Sequence, residues 1–270
     1  MRPPEASLVL RLAGPLQSWG DQSQFNHRYT GGEPTKSGIT GLLAAADGRR
    51  RSDPIEDLVG LCLAVRTDQP GSMLRDYHTV SDLPGRPLLS ASVNDRGVQK
   101  RTSPAKPTHV TERFYLQDAI FVVAIAGEAN LLGGISEALR NPAFPLSLGR
   151  RSCVPTQPLL LVPPMGMQAP SDATLWDGPP LAVLERVPWQ LPLKRVRAFE
   201  RKSSWPTRTD LPVTIDDPNG NDIRTDLPGS FDPQKRSFGT RRVRQVWVSV
   251  ERPPRGQPSD MHDPFVLLGG

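Results

Sequence analysis

Apolar and polar positions alternate at the start of the chain. From Ser7 to Leu12, Leu8, Leu10 and Leu12 fall on one face and Val9 and Arg11 on the other, the period of a strand, and Gly14-Pro15 stops it. The period then changes. Over Ser37–Asp47, Ile39, Leu42, Leu43 and Ala46 recur at helical spacing, with Thr35 or Ser37 placed to cap the helix and Gly48 to end it. Leu58–Val65 reads as a second strand. Ala119–Ala126 is almost wholly apolar and reads as a central strand covered on both faces. Leu131–Arg140 reads as a second helix with Leu132, Ile135 and Leu139 inward, ended by Pro142 and Pro145. Leu181–Val187 completes the series as a fourth strand.

The order β-α-β-β-α-β predicts an α+β, ferredoxin-like domain: two helices on one face of a four-stranded sheet, the other face free to bind. The polar, Pro- and Gly-punctuated stretch from Thr67 to Arg113 interrupts it between the second and third strands and reads as an inserted arm, such as an extended hairpin. The predicted organisation is a domain over 1–190 carrying an inserted thumb (67–114), a loop-rich C-terminal extension over 191–250 with a strand at Arg242–Val250, and a proline-rich tail over 251–270. No internal repeat or heptad pattern is present.

Composition sharpens this picture in two ways. The 30 prolines among 270 residues imply much turn and extended coil. The net charge of +5 is modest, but six Lys/Arg against one acid fall in Lys194–Arg208, and again in Lys235–Arg252. Such clusters suit a polyanion, whose condensed counterions are released on neutralisation; a merely solvated face is the alternative. Cys62 and Cys153 have neither CxxC spacing nor a paired His, which argues against zinc and against a disulfide framework. No apolar run reaches the length of a membrane span and Met1–Leu12 lacks a signal-like core, so the expected location is the cytoplasm.

Five segments in order carry a resemblance: Leu10–Gly20 (LRLAGPLQSWG), Pro34–Leu43 (PTKSGITGLL), Arg75–Val80 (RDYHTV), Tyr115–Ala124 (YLQDAIFVVA) and Leu148–Cys153 (LGRRSC). Together they resemble the CasD family of type I-E CRISPR systems, within the RAMP superfamily. The likeness is close over Ser7–Leu160 and loose beyond, through Ser230-Phe231 and Ser237–Val243. It implies a ferredoxin-like fold with a protruding thumb. It also implies a non-catalytic Cascade subunit that caps the 5′ handle of the guide RNA (crRNA) and touches the large subunit and the adjacent backbone subunit. In type I-E systems a separate nuclease cuts the precursor; in some other subtypes the equivalent protein cuts it.

Chemistry and resemblance together nominate RNA-binding residues. Trp19, on a loop with Gln17 and Gly20, offers a stacking platform and Gln17 an amide for a base edge, unless Trp19 closes the core. Lys36, Ser37 and Gly38 open the first helix, where free N–H groups, the helix dipole and an ammonium suit a phosphate; simple capping is the alternative. Arg150 and Arg151, between Gly149 and Ser152, can fork onto phosphates, unless one is engaged within the fold. Arg75, Tyr77 and His78 stand at the root of the arm, and Tyr77 and His78 must point to opposite faces if this is a strand.

An endoribonuclease that processes the guide precursor is the second reading. It would need a base, an acid and a cation, and His27 with Tyr29 and Lys36, or Lys106 with His109, supply the residue types without a diagnostic spacing. Asp216, Asp217 and Asp222 in DDPNGND read as a loop rather than a two-metal site. A pure assembly scaffold is the third. No cofactor, metal or small-molecule substrate is expected.

Overall fold

The structure, a computed structural model, describes residues 6–20, 23–24, 26–94, 96–101, 104–192, 195–196 and 207–252. The N-terminal half runs β1 (Ala6–Ala13), β2 (Leu16–Gln17), β3 (Ser23–Gln24), β4 (His27–Arg28), α1 (Lys36–Ala46), α2 (Glu56–Val59), β5 (Cys62–Gln69), β6 (Ser72–Ser81), β7 (Leu89–Val93), β8 (Gln99–Arg101), β9 (Thr108–Gln117) and β10 (Ile120–Ala126). Then come α3 (Ala129–Arg140), β11 (Gln168–Ala169), β12 (Asp172–Asp177), α4 (Pro180–Arg186), β13 (Arg208–Asp216), β14 (Asp222–Ser230) and β15 (Ser237–Glu251). The protein is α+β with predominantly antiparallel pairing.

The main sheet has the order β11-β12-β1-β10-β5-β13-β15-β14. β1 and β10 pair in unbroken register from Ser7↔Ala126 to Ala13↔Ile120, and every residue of both strands is buried. Their near-continuous apolar character follows from being covered on both faces. On one face Leu8, Leu10, Leu12, Phe121, Val123 and Ile125 pack under Ile39, Leu42 and Leu43 of α1 and Leu132, Ile135 and Leu139 of α3. Both helices therefore bury the stripe their periodicity predicts.

The opposite face corrects the expectation of an open binding platform. Val9, Ala64, Val122 and Ala124 are covered by Val183, Leu184 and Val187, together with Trp176. Leu181–Val187, read as the fourth strand, lies largely within α4, with Val187 as its C-cap. Pro180 in the first turn fixes a helical φ without losing a needed N–H, and Pro180, Val183, Leu184 and Val187 form one buried stripe. A salt bridge holds this helix down. Arg66 and Asp68 on β5 are fully buried; Arg66 Nε and Nη2 donate to Asp68 at 2.7 and 2.8 Å. Arg66 Nη1 also donates to the carbonyls of Val187, at 2.7 Å, and Leu184, satisfying the end of α4.

The strand that pairs β1 on its far side is β12, through Ala6↔Asp177 and Ser7↔Trp176. Its sequence, DATLWD, is short and half polar and gives little periodic signal. Leu58, read as strand, lies in α2, and β5 begins at Cys62. Beyond β5 the sheet is extended by β13 (Val213↔Arg66 to Ile215↔Ala64) and then β15, longer than the expected Arg242–Val250. The tail residues 253–270 and most of the basic segment after Pro192 lie outside the described residues.

Between β5 and β10 the polar stretch folds back on itself: β6 and β9 pair from Ser72↔Gln117 to Ser81↔Thr108, with the β7–β8 pair between them. β2 and β4 join β9 at the root, so the turn after β1 and the base of the arm form one small sheet. Among the described residues no helix is long and apolar enough to cross a membrane.

Candidate nucleic-acid interface

The turn after β1 is built from the inside. Gln17 is fully buried: its Nε2 donates to the carbonyls of Leu12 (3.0 Å) and Ala119 (2.7 Å), and its Oε1 accepts from Trp19 Nε1 (3.0 Å). This amide is wholly used by the fold, so it is not a base reader. Trp19 is 1% exposed. A methyl group on Gly38 would come within 2.8 Å of its ring, so the helix start lies directly on the indole. Trp19 is therefore a core residue, as the competing reading had it, and not an open stacking platform. Gly20 beside it is exposed.

Lys36 corrects a second expectation. Its side chain is buried, with Nζ donating to Leu61 O and to Asp216, both at 2.8 Å. Its backbone N–H donates to Asp226 at 2.7 Å, and Gly38 N donates to the Thr35 cap at 3.2 Å. Internal groups thus take the cation and two N–H donors expected to meet a phosphate. Arg241 closes the network: Nε and Nη2 donate to Asp226 at 2.7 and 2.9 Å, and Nη1 donates to Asp216. Burial raises the Asp226 carboxyl, but the hydrogen bonds and charge of Arg241 outweigh it, and its pKa settles below the usual carboxylate range.

The Gly149–Ser152 turn is pressed against the same region. Gly149 has φ +90°, and a Cβ there would lie 1.7 Å from Ser18 O. Arg150 is half-buried. Its guanidinium lies 4.8 Å from the centre of the Tyr115 ring and donates to the carbonyls of Phe114 (3.1 Å) and Arg28. It is engaged within the fold by carbonyls rather than by a salt bridge, while Arg151 and Ser152 are exposed. On the arm, Arg75 pairs with Glu112, whose carboxyl that contact holds below its usual range, and His27 stands 3.2 Å from the same carboxylate. Register puts Arg75 and Tyr77 opposite Phe114 and Glu112 and His78 opposite Thr111, so Tyr77 and His78 do take opposite faces.

These pieces meet at a cleft of about 310 Å³. One wall is Ser18, Trp19, Gly20, Arg28 and Tyr29; the helix start supplies Thr35, Ser37 and Gly38; Gly149 and Arg150 close one side. The far wall is Phe231, Arg236 and Phe238, from the connection between β14 and β15 and the start of β15. The Arg236 guanidinium lies 5.2 Å from the Phe238 ring centre, and Tyr29 stacks on Phe114 at 5.2 Å. Tyr29 is 47% and Phe238 41% exposed, so both have ring surface to offer. Three arginines and no carboxylate line the cleft among the described residues. The candidates split accordingly: Trp19, Gly20, Ser37, Gly38 and Arg150 line it, whereas Gln17, Lys36, Arg75, Tyr77, His78, Arg151 and Ser152 do not.

Of the residues named for cleavage, Lys36 is tied to Asp216, and His109 Nε2 contacts Leu89 O at 2.8 Å. Asp216, Asp217 and Asp222 each face a cation: Lys36 and Arg241, Arg244, and Arg224 respectively.

The model of the CRISPR-associated protein family Cas5 matches residues 7–244. The chain belongs to this family. The Cascade subunit CasD of Escherichia coli (strain K12) is 37% identical over 169 residues, covering 57% of this chain and 69% of that protein. A solved chain described as a CRISPR RNA-guided surveillance complex superposes with a TM-score of 0.71 at 32% identity, over 93% of this chain and 95% of its own. A second, described as a Cas protein, gives 0.63 at 32% identity, over 92% and 100%. The CasD resemblance carried by the five sequence segments therefore holds.

In this Cas5 protein, sequence reasoning missed Arg28, Phe231, Arg236 and Phe238, and weighed Tyr29 only for cleavage. A signal existed for the last three: Ser230-Phe231 and Ser237–Val243 carry the loose C-terminal likeness, and Arg236 lies in a basic cluster. What the sequence did not show is that this segment returns to face Trp19 and Gly38.

Proposed function

We propose that this chain is a non-catalytic, RNA-binding subunit of a type I-E Cascade, and that its cleft seats the 5′ handle of the crRNA. The observation that carries the reading is an open cleft lined by Arg28, Arg150 and Arg236, with exposed faces of Tyr29 and Phe238 and, among the described residues, no carboxylate. Guanidinium groups meet phosphates bidentately, and aromatic faces stack unpaired bases of any sequence. A single strand matches this combination, because its bases are free to leave the stack.

The strand order β12-β1-β10-β5, with α1 between β1 and β5 and α3 between β10 and β12, supports reading the core as ferredoxin-like. The hairpin between β5 and β10 is then the thumb, and β13–β15 the extension that brings the far wall of the cleft. On this reading the thumb and the surfaces beside the cleft meet the large subunit and the adjacent backbone subunit, in the cytoplasm. The internal pairing of Lys36 and of the three turn aspartates favours binding over cleavage.

The test is guide retention. Arg28→Ala combined with Arg236→Ala, in otherwise complete Cascade, lowers the bound guide RNA per complex. Each substitution weakens handle binding about tenfold, equivalent to ~1.4 kcal/mol. Unchanged guide content contradicts the proposal.

A further inference from the structure

We infer that the buried Lys36–Asp216–Arg241–Asp226 network positions the far wall of the cleft, so that Asp226 and Arg241 are positioning residues for RNA; this rests on the RNA-binding reading above. Phe231, Arg236 and Phe238 all come from the end where β14 gives way to β15. They lie at the outer edge of the main sheet, because β14 is its last strand. Pairing within the sheet fixes β14 to β15 but leaves open how far this end leans over α1.

The network fixes that. Asp226 on β14 accepts from Lys36 N at 2.7 Å and from Arg241 of β15 through two donors, at 2.7 and 2.9 Å. Asp216 on β13 accepts from Lys36 Nζ at 2.8 Å and from Leu63 N at 3.0 Å, and Arg241 reaches it as well. Two cations and two carboxylates are mutually satisfied with side chains 6–15% exposed. Low dielectric makes such a pairing stiff, and its fork geometry specifies orientation as well as distance. Lys36 directly precedes Ser37 and Gly38 on the near side, and Arg241 follows Phe238 by three residues on the far side, so one network spans both sides of the cleft. Apolar packing adds to it: a Cβ on Gly41 would lie 3.8 Å from the Phe231 ring.

The experiment measures binding of full-length protein to a short fluorescein-labelled single-stranded RNA of the repeat sequence, across a salt series. The proteins compared are wild type, Asp226→Asn, Arg241→Lys, Phe238→Ala with Arg236→Ala, and Asp217→Asn. Asp226→Asn is expected to weaken binding about tenfold. It should also flatten the dependence of log K on log salt by about 0.7, the loss of one phosphate contact to a single strand. Arg241→Lys, which keeps the charge but loses the fork, should do the same to a smaller extent, and it carries the test if Asp226→Asn does not fold. Asp217→Asn removes an exposed pair with Arg244 at the opposite turn and should bind as wild type. If Phe238→Ala with Arg236→Ala weakens binding while both network variants bind normally, the positioning role is overturned and the RNA reading stands. If affinity falls only in proportion to lost folded protein, with the salt slope unchanged, the positioning role is likewise overturned. If the cleft variant binds normally, the RNA reading itself falls, and this inference with it.

Discussion

Gly149 shows how tightly single residues constrain the site. Its φ of +90° and the 1.7 Å approach of a virtual Cβ to Ser18 O leave room for hydrogen alone. Gly149→Ala is expected to cost about 3 kcal/mol: the left-handed backbone accounts for 1–2 kcal/mol, and displacement of the turn from Ser18 for the rest. A thermal melt should show a Tm several degrees lower, with guide retention falling as Arg150 shifts; an unchanged melt contradicts the account. At this scale the sequence was legible in chemistry and not in partnership. Lys36 beside a helix start reads equally well as a phosphate ligand and as a buried ion-pair member, and the deciding partners, Asp216 and Asp226, lie 180 and 190 residues away. Trp19 likewise shows its size in the sequence, whereas its seat on Gly38 exists only after folding.

Elements were more readable than residues. β1, β10, α1 and α3 follow from apolar periodicity because each buries a defined stripe or both faces. The fourth strand was misplaced because a seven-residue helix and a buried strand share a short apolar run, and Pro180, the discriminating residue, sits just before it. The attachment of β14 and β15 to α1 by charges makes a pH prediction. The Asp226 carboxyl titrates below its ordinary value of 3.8 in the folded protein. Its contribution to stability is therefore complete above that value and is lost as pH falls through the lower, folded value. Acid melts of the wild type should steepen below about pH 4, by up to ~1.4 kcal/mol per pH unit from this one group, relative to Asp226→Asn. Parallel acid profiles of the two proteins would contradict a depressed Asp226.

Over the whole molecule, net charge is a poor guide to the site. Lys36, Arg66 and Arg241, along with Arg11, are nearly or wholly buried, so at least four of the 33 Lys and Arg residues serve the interior. The cleft is positive because three arginines from distant parts of the chain converge where, among the described residues, no carboxylate does. That convergence depends on the eight-strand sheet carrying β14 and β15 back over the start of α1, a long-range arrangement with no local sequence signature. The most direct measurement is photo-crosslinking of the crRNA within the assembled Cascade, followed by peptide mapping on this subunit. Crosslinks from the 5′ handle to the segments around Arg28-Tyr29 and Phe231–Phe238 are the expected result. Handle crosslinks confined to other subunits, or to surfaces of this chain away from both segments, would contradict it.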